Sequence, residues 1–139
     1  MDLEHVRDSL RTFADERDWA QFHSPRNLVL ALVGEVGELA ELTQWRTDDE
    51  LHALAATPDG ARALGDELAD VLSYLVQAAD SLGLDLGAAW EAKIEANAAK
   101  YPAELARGSN AKYTAYLPGP DGPTAETGTT TSTTPDEQG

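Results

Sequence analysis

A chain of 139 residues, 42% of them apolar, has material for one domain with a buried core. It contains no cysteine, which excludes disulfides, thiolate metal sites and a cysteine nucleophile, and fits a reducing compartment. Its 25 acidic against 10 basic residues give a formal charge of −15, a field that repels nucleic-acid polymers and anionic membrane surfaces.

Met1 to His5 carries neither the basic nor the apolar region of a secretory signal. The longest nearly uncharged apolar run, Val71 to Ala79, falls far short of the roughly 20 residues that span a bilayer, so a soluble cytoplasmic protein with no membrane partner is expected. The first predicted helix runs from Leu3 to Arg17, with apolar residues at Leu3, Val6, Leu10, Phe13 and Ala14. Residues 18–23 break this pattern. Ser24 then offers an N-cap and Pro25 a first helical residue for a second helix reaching Trp45. That helix is apolar on most of its circumference and is expected to be the most buried element, with Gly34 and Gly37 permitting close approach of a neighbour.

A short turn of helix is expected over Glu50 to Ala56, a loop over Thr57-Pro58-Asp59-Gly60, and a third long helix from about Ala61 to Leu82, with Gly83 as its C-terminal cap. Asp85 is positioned to cap a fourth helix, Leu86 to Lys100, which Tyr101-Pro102 ends. The prediction is an all-α four-helix bundle over residues 1–113. From Thr114 to Gly139 the chain is rich in Gly, Pro, Thr and Ser and has no Lys or Arg, which predicts a disordered tail.

Two acidic pairs stand out. Glu35 and Glu38 are three apart on the second helix, Glu67 and Asp70 three apart on the third, so each pair projects from one helix face. One such pair is usually solvated surface. Here both are embedded in apolar runs, Val33 to Ala40 and Leu64 to Leu72, where a carboxylate is costly unless paired or metal-bound. If the helices pack antiparallel, four acids converge and a divalent cation turns their repulsion into a site for phosphate oxygens. No histidine stands three residues after any of the four, which disfavours redox iron and favours Mg²⁺, with Mn²⁺ as a substitute.

These residues resemble the all-α MazG-like nucleotide pyrophosphohydrolases, marked by Glu-x-x-Glu followed on the next helix by Glu-x-x-Asp. The stretches Phe13 to Trp19, Gln21 to Leu28, Leu30 to Leu42, Gln44-Trp45 and Glu67 to Leu75 are similar to the dCTP pyrophosphatase branch of that family, and the likeness covers about Leu3 to Tyr113. The resemblance implies that Glu35, Glu38, Glu67 and Asp70 hold Mg²⁺. It implies a base pocket of Trp19, Phe22, His23 and Trp45, with Tyr74 against the deoxyribose, and phosphate contacts from Lys93, Asn97 and Lys112. It also implies a homodimer or a dimer of dimers with sites between subunits. The chain departs from its relatives at Ala98, Ala99 and Ala111, where basic residues are common, and at Leu10, which is histidine in some animal members.

The expected reaction is in-line attack of a Mg²⁺-activated water on the α-phosphorus of a deoxynucleoside triphosphate, dCTP or a 5-modified dCTP, in nucleotide-pool sanitation. Glu35 or Glu38 is the candidate catalytic base. Two rivals are a pyrophosphatase of the same superfamily acting on dUTP or a damaged purine triphosphate, and a non-catalytic helical interaction protein.

Overall fold

The computed structural model describes residues 1–116; the tail expected over residues 114–139 lies, from residue 117 on, outside the described residues. The all-helical prediction holds: there are six α-helices and no strands among the described residues.

Helix α1 (Leu3–Asp15) starts where the Asp2 carboxylate accepts the Glu4 N–H at 3.0 Å. It ends two residues before the predicted Arg17, because Asp18 turns the chain at φ 55° and the Trp19 N–H folds back to the Ala14 carbonyl at 2.9 Å. A 3₁₀ turn (Ala20–Phe22) follows. Helix α2 (Pro25–Thr43) begins as expected, with the Ser24 hydroxyl accepting the Asn27 N–H. Helix α3 (Asp48–Ala55) is a full eight-residue helix set by a capping box between Thr47 and Glu50, earlier and longer than the turn expected at Glu50.

Helix α4 (Pro58–Ser81) begins inside the predicted loop. Thr57 is its N-cap, accepting the Gly60 N–H at 3.0 Å, and Pro58 occupies the first turn, where its missing N–H costs nothing. Gly83, at φ 67°, ends α4 as predicted. The Asp85 carboxylate accepts the Ala88 N–H at 2.9 Å and caps α5 (Leu86–Lys100).

Helix α4 is the hub of the packing: α2 lies along it most extensively, and α1 and α3 also pack against it. One stripe of α2, Leu28, Leu32, Glu35, Leu39 and Leu42, is buried or half-buried at helical spacing. The rest of that helix corrects the expectation of a deeply buried element. Val29, Leu30, Val33 and Val36 are all exposed, Val33 by 64%, and a Cβ on Gly34 or Gly37 would meet nothing within 4 Å. The physical reason is that α2 is covered on only one side within a single chain. The close approach belongs instead to Gly60, whose added Cβ would come within 2.6 Å of a Leu54 methyl and nearer still to the Leu54 carbonyl oxygen.

The chain forms two compact units, Met1–Lys93 and a second beginning at Ile94. In the second, a break at Tyr101-Pro102 leads to α6 (Ala103–Ala106) and a 3₁₀ turn (Tyr113–Tyr116), which spans the expected domain boundary. There the Tyr101 and Tyr116 rings meet edge to face at 6.1 Å, and the Tyr116 hydroxyl donates to Ser109 Oγ at 2.9 Å. No helix among the described residues is long and apolar enough to cross a membrane.

Candidate active site

The packing of α2 on α4 brings Glu35, Glu38 and Glu67 together, one carboxylate oxygen of each lying within 4.8 Å of the others. Helical periodicity dictates this. Glu35 sits on the α2 stripe facing α4, and Glu67 falls between Leu64 and Val71 on the half-buried seam of α4. Both feel the consequence. Partial desolvation, then the charges of Glu38, Asp70 and Glu67, push Glu35 above the usual carboxylate range. Glu67 is raised likewise, by desolvation first and then by Glu38, Asp70 and Asp66.

Asp70 lies outside the tight group of three, though its charge reaches both Glu35 and Glu67. None of the four acids forms an ion pair with a base among the described residues. Anionic oxygens packed together without a cationic partner make a donor set suited to a hard divalent cation.

Asp70 also lines a cavity of about 240 Å³, together with Phe13, Trp19, His23, Tyr74 and Gln77. Here the sequence-predicted Trp19, His23 and Tyr74 do converge. The reversal at Asp18 delivers Trp19 beneath α1, where it meets Phe13 edge to face at 5.8 Å, and His23 stands at 6.5 Å from Trp19. The loop is pinned at both ends. The Gln21 amide donates to the Asp18 carbonyl and carboxylate, each at 2.9 Å, and the Asn27 amide donates to the Phe22 carbonyl at 3.1 Å. The Arg17 guanidinium lies 3.7 Å above the Phe13 ring and holds the outer wall.

Phe22, Trp45 and Lys93 do not line this cavity. Phe22 is 60% exposed, and Trp45, at 87% exposure, stands beyond the end of α2 beside Glu41, Arg46 and Glu50. Lys93 is exposed on α5. In the second unit, Asn97 is half-buried and Lys112 exposed just before the last 3₁₀ turn.

The MazG-like family model matches residues 31–115, which contain all four acids and Tyr74 but not Trp19, Phe22 or His23. The chain is 54% identical over 112 residues to dCTP pyrophosphatase 1 of Homo sapiens, covering 81% of this chain and 66% of that protein. It is 51% identical over 124 residues to dCTP pyrophosphatase 1 of Bos taurus, covering 89% and 72%. The chain belongs to the MazG-like family.

Among solved structures, a pyrophosphatase from Archaeoglobus fulgidus matches with a TM-score of 0.64 and 38% identity, over 71% of this chain and 91% of that one. What sequence reasoning missed in this MazG-like chain is the far wall of the cavity. Ser73 and Gln77 lie three and seven residues after Asp70, on the face that also carries Tyr74. Their signal was polarity inside an otherwise apolar stretch of helix.

Proposed function

We propose that this chain hydrolyses dCTP, or a 5-modified dCTP, to the nucleoside monophosphate and pyrophosphate, as a cytoplasmic enzyme of nucleotide-pool sanitation. The observation that carries the reading is the double role of Asp70, which adds its charge to the carboxylate group and also lines the aromatic cavity. The names and pyrophosphatase activity of the human, bovine and archaeal relatives support the same reading.

Glu35, Glu38 and Glu67, with Asp70, are the residues that would hold Mg²⁺, for which Mn²⁺ could substitute. Bound there, a divalent cation supplies charge neutralisation to phosphate oxygens and acidifies water. The chain's own residues do the rest. As a water oxygen bonds to the α-phosphorus, the bond from that phosphorus to the bridging oxygen breaks, and the water's proton passes to Glu35 or Glu38. Glu35 is the better shielded of the two, on the half-buried stripe of α2. Trp19 and Phe13 form the aromatic wall for the base, and Tyr74 meets the sugar, where a ring against C2′ penalises a ribose hydroxyl. Lys93, Asn97 and Lys112 are assigned to the departing phosphates.

The assembly we favour is a homodimer or a homotetramer. Its support is the open face of α2, where Val29, Leu30, Val33 and Val36 form a contiguous apolar surface, and the exposed Trp90 on α5. Phe22 and Trp45, exposed in one chain, are then available to a neighbouring subunit's site.

The test is pyrophosphate release from deoxynucleoside and ribonucleoside triphosphates with Mg²⁺, for the intact chain and for Glu38→Ala and Asp70→Ala. Turnover of dCTP or its 5-substituted forms that disappears in both variants is expected. Hydrolysis that survives in both would remove the carboxylates from the mechanism, and no turnover of any triphosphate would end the enzyme reading.

A further inference from the structure

We propose that Gln77 selects the base in this chain, its side-chain oxygen accepting a hydrogen bond from the exocyclic amine of an aminopyrimidine. The assignment rests on the aromatic cavity being the base site, as proposed above. Leu10 and Phe13 offer only apolar surface, and Asp70, Trp19 and Tyr74 are taken by the metal, the base face and the sugar in the proposed function, so edge recognition falls to His23, Ser73 and Gln77.

Two of these are committed by their own hydrogen bonds. Gln77 Nε2 donates to the Ser73 carbonyl, one turn back on α4, at 3.3 Å. The flipped amide would set oxygen against that carbonyl oxygen, so the backbone fixes which end of the amide is which. Gln77 Oε1 then accepts no hydrogen bond among the described residues. The Ser73 hydroxyl spends its proton on the Ala69 carbonyl at 2.8 Å, leaving lone pairs. The polar groups that α4 adds to the cavity wall therefore include two oxygen acceptors, both on half-buried side chains.

Acceptors of this kind are satisfied by a donor. A 4-amino group supplies an N–H at the edge of the ring, whereas the 4-oxo group of uracil or thymine would place oxygen against oxygen and leave both unpaired in a half-buried cavity. Gln77 thus acts on discrimination between amino and oxo bases, separately from the chemistry at the phosphates.

The measurement is calorimetric binding to the full chain, with Mg²⁺, of three ligands: dCMP, dUMP and the deoxynucleotide of 2-pyrimidinone, which is cytosine without its amine. The intact protein should bind dCMP about tenfold more tightly than either of the others, the ratio one neutral hydrogen bond supplies. In Gln77→Leu, matched in size and lacking the amide, the three affinities should fall within about threefold of one another. Gln77→Leu keeping the full preference for dCMP would overturn the assignment. So would equal binding of dCMP and the 2-pyrimidinone nucleotide by the intact protein, a comparison that needs no variant to fold. The two readings part cleanly. Selective dCMP binding that Gln77→Leu abolishes, in a protein that releases no pyrophosphate, would leave Gln77's role standing and sink hydrolysis.

Discussion

Adding Mg²⁺ to the metal-free protein should raise its thermal stability, and the rise should vanish in Glu38→Gln. Oxygens in an octahedral Mg²⁺ shell, at about 2.0–2.1 Å from the ion, stand about 2.9 to 4.2 Å from one another. The carboxylate oxygens of Glu35, Glu38 and Glu67 already lie within 4.8 Å of one another, so binding needs side-chain movements on the order of 1 Å, within reach of rotamer adjustment. At a Mg²⁺ concentration a hundred times its Kd, linkage gives about 2.7 kcal/mol. For a domain of this size, at about 4 °C per kcal/mol, that is roughly a 10 °C rise in Tm.

The pH dependence has a definite sign. Glu35 and Glu67 titrate above the ordinary carboxylate range in the folded chain, so between the ordinary and the raised pKa the folded state holds more protons than the unfolded one. The metal-free protein therefore loses stability as pH rises through that window, and the loss is complete above it. Mg²⁺ takes the deprotonated carboxylates, so its stabilising effect grows over the same window. The assay is differential scanning fluorimetry across pH with and without Mg²⁺. An equal Mg²⁺ shift in the intact protein and Glu38→Gln, or a shift that grows on acidification, would refute the reasoning.

Gly60→Ala should destabilise the chain despite alanine's better helix propensity. Overpacking against Leu54 costs about 1–3 kcal/mol against about 1 kcal/mol gained, and urea unfolding reads the net loss. Trp19→Ala should raise KM for dCTP about tenfold to a hundredfold, the range of one lost base-stacking contact; steady-state kinetics with an unchanged KM would remove Trp19 from the pocket. Val33→Asp, on the open face of α2, should shift the assembly toward monomer in size-exclusion chromatography with light scattering, and an unchanged mass would place the subunit contact elsewhere.

Much of this protein was already determined by its sequence. Local signals are self-contained, so Ser24-Pro25, Gly83 and Asp85 mark helix ends wherever the chain later packs. The same holds for the two acidic pairs, because i,i+3 spacing puts each on one helix face before any tertiary contact forms. Helix α4 starts ahead of the predicted Ala61 because Thr57-Pro58 serves a loop and a helix N-terminus equally well, and the Thr57 cap on Gly60 chooses between them.

Burial could not be read in this way. The apolar circumference of α2 records everything that covers the helix, and periodicity does not say whether the cover comes from this chain or from another. Only the tertiary structure showed that α4 takes the Leu28 to Leu42 stripe and leaves Val33 open. It also decided the membership of the cavity: Trp19 and Gln77 are 58 positions apart in sequence, and only the packing of α1 and its following loop on α4 makes them neighbours.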